Sequence, residues 1–162
     1  MQHGIARPEL RPFPHCDRSL VSAGQLNLWL HDQRIGVGPR FVIRIAIRLR
    51  GRLDTDALNQ ALGDVMERLE ILRTIYTVSV EWPLQQVLDP PAPAGAMTTV
   101  RCSESELPDL LLDAVREPFE LSTDRPLRAT LYVLGPDEHL LLLRFHHIAF
   151  DGSSVAPFAR DL

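Results

Sequence analysis

The sequence lacks the features that define several large classes of protein. The formal net charge of its 162 residues is −4, so the basic excess of a nucleic-acid-binding protein is missing. Its longest purely aliphatic run, residues 140–143, is far shorter than the roughly 20 residues that a membrane helix needs. Cysteine is scarce: Cys16 and Cys102 form no spaced pair, and residues 1–4 do not begin a secretion signal. These absences predict a cytoplasmic protein without a nucleic-acid or membrane partner.

Two common catalytic signatures are missing as well. No G-x-S-x-G is present, which disfavours a serine hydrolase, and no H-E-x-x-H or C-x-x-C spacing supplies the ligands of a zinc site. The adjacent histidines His146 and His147 end a strand-like run. Because neighbouring strand residues point to opposite faces, such a pair rarely reaches one ion. We therefore expect neither a bound metal nor a resident cofactor.

The composition fits one modest folded unit. With 45% hydrophobic and 23% charged residues, the chain can bury a core as a single domain or as part of a larger one. Prolines recur in residues 1–19, and because proline disrupts both helices and strand ladders, we predict an extended lead segment there. The folded part is predicted to span residues 20–162.

Four segments have the signatures of helices. The first begins after Ser22 and reaches about residue 34. The second follows the N-cap Asp54 and carries apolar residues at helical spacing: Leu58, Ala61, Leu62, Val65, Met66 and Leu69. The third follows the capping box of Ser103 and Glu106 and ends near residue 118. A fourth begins at residue 153 or 154 and is incomplete at residue 162.

Between these helices the sequence alternates as β-strands do. Residues 41–50 place isoleucines on one face and arginines on the other, and two short extended segments follow at 74–80 and 82–88. Residues 127–133 and 139–147 are typical of a hairpin whose second strand is buried on both faces. The order β-α-β-β-α-β-β predicts an α+β fold, with helices on one side of a mixed sheet that contains antiparallel pairs.

The run His146-His147-Ile148-Ala149-Phe150-Asp151-Gly152 is the strongest candidate for a functional site. One histidine should face the packed layer and the other an opening, where it can act as a base or hydrogen-bond acceptor. Gly152 would let a backbone N–H approach a ligand. The residue types alone leave another interpretation open, in which both histidines are buried and satisfied and Asp151 caps a helix.

Three motifs in order resemble those of the condensation domains of non-ribosomal peptide synthetases, which belong with chloramphenicol acetyltransferase. Residues 22–29, SAGQLNLW, resemble S-x-A-Q-x-R-L-W, with departures at Gly24 and Asn27. Residues 68–74, RLEILRT, resemble R-H-E-x-L-R-T, with Leu69 in place of histidine. The run from His146 to Gly152, with Ser154, matches H-H-x-x-x-D-G-x-S in full.

The resemblance implies a fold of the chloramphenicol acetyltransferase type, with two lobes and a tunnel between them. Residues 20–162 would form the N-terminal lobe, and the C-terminal lobe would lie outside this chain. It also implies peptide-bond formation between an acyl or peptidyl thioester and an aminoacyl thioester, both held on phosphopantetheine arms of upstream and downstream carrier proteins. The lobe alone is expected to be inactive.

The same resemblance implies roles for single residues. His147 would face the tunnel as the catalytic residue, and His146 would be structural. Asp151 and Arg73 would form a structural ion pair that shapes the site, so that Asp151→Asn should fold poorly. Gly152 would offer its N–H to the thioester oxygen, or would serve a tight turn.

Several alternatives stay open within and beyond this family. An epimerisation domain or a stand-alone acyltransferase would carry the same motifs, whereas a heterocyclisation domain would replace the histidines with acids. A non-catalytic truncated lobe that self-associates or docks a carrier protein is a further possibility. If Met1 is the native start, the donor is expected to arrive on a separate polypeptide.

Overall fold

The computed structural model describes residues 18–35, 38–78, 82–92 and 94–162. Within these ranges no helix is both long and apolar enough to cross a membrane. The predicted extended segment 1–19 lies outside the described residues except for its end.

The described residues contain four α-helices, at the positions expected from the sequence. They are α1 (Ala23–Ile35), α2 (Thr55–Arg68), α3 (Leu107–Arg116) and α4 (Val155–Asp161). The predicted N-cap of α2 is confirmed, since the Asp54 carboxylate accepts hydrogen bonds from the backbone N–H groups of Asp56 and Ala57. At the start of α1, Ser22 and Gln25 form a reciprocal capping pair. Local capping chemistry therefore fixes where α1 and α2 begin.

A four-stranded sheet forms the centre of the fold. Its order is β2-β7-β6-β5, from the strands β2 (Val42–Arg50), β5 (Thr98–Arg101), β6 (Leu127–Gly135) and β7 (Glu138–His146). The predicted hairpin of β6 and β7 is confirmed, and β7 also pairs antiparallel with β2. Strand β5, which the sequence did not reveal, pairs parallel with β6 and makes the sheet mixed.

A smaller sheet of three strands lies beside α1. It has the order β1-β4-β3, with β1 (Arg18–Leu20), β3 (Thr74–Val78) and β4 (Pro83–Val87), all antiparallel. The two short extended segments predicted from β-branched residues are thus a hairpin. The end of the predicted lead segment is its edge strand, a pairing with no local signal in the sequence.

One face of the four-stranded sheet, here called the α2 face, is mostly apolar, with the buried His139 as an exception in β7. Alternate residues of β6 and β7 pack there against α2 and α4, in a cluster that includes Leu62, Val65, Leu131, Leu141, Leu143, Phe145 and Phe158. Leu131 and Phe145 are fully buried. Burial of this set supplies the main hydrophobic stabilisation of the described fold.

The opposite face, here called the α3 face, is covered by α3. Leu107 of that helix packs on Tyr132 and Leu142, which alternate with the residues of the α2 face. The expectation of helices on only one side of the sheet was therefore wrong. Because β6 and β7 carry buried apolar residues on both faces, each face needs a covering layer, and α3 provides the second one.

Three arginines lie side by side on the α3 face. Arg44, Arg144 and Arg128 are direct neighbours across β2, β7 and β6. Arg144 is buried and donates hydrogen bonds to the Ala114 carbonyl and, at 2.8 Å, to the Glu117 carboxylate. These acceptors belong to the C-terminal end of α3, where the helix dipole favours cations. The arginine row therefore attaches α3 to the sheet.

Candidate active site

The end of β7 continues into a loop of residues 146–152, here called the His147 loop. Its residues alternate in burial: His146, Ile148 and Phe150 are buried, whereas His147 and Asp151 are exposed. Ile148 packs in a cluster with Tyr76 and Leu121, and Phe150 packs in the core of the α2 face. The loop is thus anchored on two sides, while His147 and Asp151 point outward.

His146 lies in the interior, as the strand alternation predicted. Its ring is 1% exposed and packs against Phe41 and Phe119, with ring centroids 6.4 and 6.0 Å away. Its Nδ1 accepts a hydrogen bond from the Ile148 N–H, at 3.1 Å, so in this neutral ring the proton resides on Nε2. Burial, with the neighbouring His147 as the smaller cause, lowers the pKa of His146 to about 4. This histidine holds the loop and does not face a cleft.

His147 presents its ring to the surface with a defined tautomer. Its Nδ1 lies 2.8 Å from the Phe150 carbonyl oxygen. Because a carbonyl only accepts hydrogen bonds, Nδ1 carries the proton, and Nε2 of the neutral ring keeps its lone pair. The backbone N–H of His147 donates to the Phe41 carbonyl at 2.7 Å, which fixes the start of the loop. The arrangement suits Nε2 to accept a proton or a hydrogen bond.

His147 lines a cleft of about 400 Å³. Ser22 and Gln25 from the start of α1, Ile71 and part of the His147 loop form its other walls. Gln25 is itself held in place, since its amide nitrogen donates to the Tyr76 hydroxyl and to Gln85. The cleft therefore has one wall whose conformation is fixed by the small sheet and one formed by the His147 loop.

Asp151 caps the turn that leads into α4. One carboxylate oxygen accepts from the Ser153 hydroxyl and from both the hydroxyl and backbone N–H of Ser154, at 2.7 to 3.0 Å. Ser154 in turn accepts from the Asp151 N–H, which completes a capping box. The two serine hydroxyls lower the pKa of Asp151 to about 2.

The expected ion pair between Asp151 and Arg73 is not formed, because each residue has other partners. Arg73 is the last residue of a short 3-10 turn, Glu70–Arg73, and donates to the carbonyls of Met66 and Leu88. Its ion-pair partner is Glu70, at 3.5 Å. Arg73 thus joins the end of α2 to the segment after β4, while the exposed Asp151 is satisfied within its own loop.

Gly152 begins the 3-10 turn Gly152–Ser154 without needing the conformational freedom of glycine. Its φ is not in the left-handed region, and a Cβ atom built on it meets nothing within 4 Å. Neither the turn nor the packing of the described chain requires glycine at this position.

Candidate ligands for a metal are sparse around this cleft. No group of three or more His, Cys, Asp or Glu side chains suited to one metal ion occurs in the described part of the chain. The groups that the cleft does offer are the His147 imidazole, the Asp151 carboxylate, the Gln25 amide and serine hydroxyls. This set is suited to hydrogen bonding and proton transfer.

The chain belongs to the condensation domain family, whose model matches residues 17–162. It is 39% identical over 157 residues to a dimodular nonribosomal peptide synthase of Bacillus subtilis and 39% identical over 145 residues to an isonitrile lipopeptide synthase of Mycobacterium tuberculosis. These matches cover 97% and 88% of the chain but only 7% and 6% of the relatives. The chain is thus similar to a small part of much longer proteins.

Solved structures show the same fold. The X-domain from teicoplanin biosynthesis, in a complex with OxyB, is 35% identical with a TM-score of 0.86, over 97% of this chain and 34% of that one. The first condensation domain of the CDA synthetase has a TM-score of 0.76 at 23% identity, over 89% of this chain and 38% of that one. This chain therefore spans little more than a third of the length of these solved chains.

The hydrogen bond of His147 was missed in the sequence, and the cap by Asp151 was given only as an alternative interpretation. The bond from His147 to the Phe150 carbonyl has no local signal, because any residue supplies a carbonyl. The cap by Asp151 does have one: an acid followed three residues later by serine is a capping pattern. The likeness to a family motif directed attention to Arg73 instead.

Proposed function

We propose that this chain is the first lobe of a condensation domain that forms amide bonds between two carrier-bound thioesters. The observation that carries the proposal is His147, which lines a cleft with Nε2 free to accept, in a chain of the condensation domain family. In the proposed reaction the acceptor amine attacks the thioester carbonyl. A C–N bond forms, the C–S bond breaks, and the amine proton passes by way of Nε2 of His147 to the leaving sulfur.

Positioning is the larger contribution expected of His147. An α-amine with a pKa of about 8 is already partly neutral at pH 7, so its deprotonation costs only about 1 kcal/mol or a little more. Orientation of the reacting groups contributes up to about 7 to 11 kcal/mol, and acid–base assistance contributes about 10²- to 10⁴-fold in rate. We therefore assign His147 to holding the amine by a hydrogen bond first and to accepting its proton second.

The remaining parts of the proposed site come from outside this chain. Upstream and downstream carrier proteins would deliver the substrates on phosphopantetheine arms, in the cytoplasm, and the C-terminal lobe would close the tunnel. Gly152 is assigned to the approach of the thioester oxygen to its backbone N–H, since its own turn leaves space there. Asp151 and Arg73 are assigned to shaping the site through separate contacts.

The test of this reaction is reconstitution with two loaded carrier proteins. We expect the full-length protein to transfer the acyl group to the aminoacyl acceptor, with the amide product detected by mass spectrometry on the acceptor arm. The chain of residues 1–162 alone should form no product. Epimerised acceptor without a new amide, or transfer to a free alcohol, would replace the proposed reaction with one of the alternatives from the same superfamily.

A second candidate function is recognition of a partner protein without catalysis. The observation that favours it is the likeness to the X-domain, since one of its structures is a complex with OxyB. If the full-length protein binds loaded carrier protein in calorimetry yet forms no product over long incubation, this function is the better one. Efficient amide formation would exclude it as the main role.

Self-association of the isolated lobe is proposed on its exposed apolar side chains. Leu20, Val78 and Trp82 are 70%, 67% and 56% exposed, respectively, near one end of the small sheet. Such residues favour association when a covering layer is missing. Light scattering over a wide concentration range should show the mass of the isolated chain rising. A constant monomer mass would contradict this proposal.

A further inference from the structure

An aromatic stack lies directly beneath the His147 loop. Phe150 folds back onto Phe145, the residue that precedes the histidine pair, with ring centroids 3.8 Å apart and planes inclined by 14°. Phe158 of α4 meets both rings edge-on, at 5.1 Å from Phe145 and 5.8 Å from Phe150. All three side chains are at most 4% exposed. The stack therefore closes the loop between residues 145 and 150 in the rigid core.

The same residue carries the acceptor that sets the His147 tautomer. The Phe150 carbonyl oxygen lies 2.8 Å from His147 Nδ1, while the Phe150 ring is held in the stack. On the other side of the loop, two bonds fix the preceding turn: Ile148 N–H to His146 Nδ1, and Ala149 N–H to the His146 carbonyl. Phe150 is thus the link that determines where the carbonyl lies relative to the imidazole.

We propose that the stacked pair Phe145–Phe150 is a positioning device that keeps His147 in the Nδ1–H tautomer with Nε2 directed outward. Phe150 borders the cleft, but both rings are buried in the stack, so we assign both as positioning residues. A ring that leaves the stack lets the carbonyl move away from Nδ1. Because a hydrogen bond weakens steeply with distance and angle, the preference for one tautomer then falls.

The expected effect follows from the strength of one hydrogen bond. A neutral bond of this kind changes an equilibrium by about tenfold when it is made or lost. Loss of the stack should therefore reduce the tautomer ratio of His147 by up to about tenfold. The kcat should fall in proportion to the Nδ1–H population, by a smaller factor than the ratio, with KM nearly unchanged. The effect on kcat rests on the proposed function of His147, whereas the effect on the tautomer does not.

The experiment measures the tautomer directly. The full-length protein is labelled with ¹⁵N-histidine, and the two ring nitrogens of His147 are assigned by comparison with His147→Gln. Phe145→Leu and Phe150→Leu should both increase the share of the Nε2–H form, and turnover is measured on the same samples. Phe150→Met is a second variant. Methionine fills the space of the ring because its flexible side chain adapts to the core, but it offers no ring face for stacking.

Phe158→Leu is the matched control. It removes a ring of equal burial that contacts the stack only by its edge, so it should lower stability to a similar extent and leave the tautomer and kcat unchanged. An unchanged tautomer in Phe145→Leu and Phe150→Leu would overturn the proposal. An equal shift in Phe158→Leu would also overturn it, because general loosening of the core would then suffice. A shifted tautomer with unchanged kcat would leave the positioning device intact and count against the proposed role of His147 instead.

Discussion

The side chains on the two faces at the end of strand β7 are equally buried but are held by different interactions. On the α2 face, Leu143 and Phe145 are buried among purely apolar neighbours, and Phe150 and α4 close over them. On the α3 face, Arg144 and His146 are just as buried, but each depends on specific hydrogen bonds to acceptors or donors outside the strand. Residues adjacent in sequence therefore differ in what their removal would cost.

The contrast between apolar packing and hydrogen bonding shows how the end of one strand can both hold a site rigidly and orient its residues. Apolar packing is non-directional and tolerates side chains of similar volume, so the α2 face mainly provides a rigid base. Hydrogen bonds to buried groups are directional and costly to leave unmade, so the α3 face fixes the position of α3 and of the turn at Ile148. His147, between the two, is exposed on a loop anchored from both sides.

The largest expected loss of stability comes from a substitution on the α2 face. Leu143→Ala should lower the free energy of unfolding by about 3 kcal/mol, since it removes a fully buried side chain and leaves a cavity. Urea unfolding monitored by tryptophan fluorescence measures this cost. Leu143→Met is the control and should cost less than about 1.5 kcal/mol. If the two variants were equally destabilised, the non-directional account of this face would be wrong.

We expect His146 to make the stability of the chain depend on pH. Its folded pKa of about 4 lies below the unfolded value near 6.5, so as the pH falls below 6.5 the unfolded chain binds a proton that the folded chain does not. Between pH 7 and pH 5 this should remove about 2 kcal/mol of stability. His146→Leu should lack this component in a pH series of urea unfolding curves. A variant with the full loss of stability over the same range would show that other groups cause it.

Lysine substitutions at Arg144 and Arg48 test whether the α3 face is stabilised by directed hydrogen bonds or by charge alone. Arg144→Lys keeps the charge but cannot reach the Ala114 carbonyl and the Glu117 carboxylate together, so we expect a loss of about 1 to 2 kcal/mol. Arg48→Lys, on the same face but more exposed and paired with Glu104, should change stability by less than about 0.5 kcal/mol. Equal effects in thermal unfolding would mean that the α3 face responds only to charge.

Among these residues, substitution of Asp151 should have the smallest effect on stability. Because its exposed carboxylate caps a turn, and asparagine also caps well, Asp151→Asn should fold with a midpoint near that of the wild type. Asp151→Ala, which removes the cap, should unfold at a lower temperature in the same calorimetric comparison. A poorly folded Asp151→Asn would restore the ion-pair role that the sequence suggested.

The sequence predicted the elements with local signals and missed those that depend on distant partners. The caps at Ser22 and Asp54, the β6–β7 hairpin and the opposite directions of His146 and His147 all follow from spacing within a few residues. Strand β5 and the pairing of β1 with β4 have no such signal, because short edge strands are defined by what they pair with.

The same limit explains the two errors about arrangement. The side on which α3 packs was not predictable, since β6 and β7 carry buried apolar residues on both faces. The partner of Asp151 was mistaken because an arginine far away in sequence was preferred to Ser154, three residues on. Family resemblance located the site, but the hydrogen bonds within it required coordinates.

The most direct test of the central claim is the turnover of His147→Ala in the full-length protein with two loaded carrier proteins. The claim is that His147, held in one tautomer over the cleft, positions the amine and accepts its proton. We expect the single-turnover rate of amide formation to fall by about 10²-fold or more, with an unfolding midpoint unchanged from the wild type, because the side chain is exposed. An unchanged rate with the preferred acceptor would contradict the account.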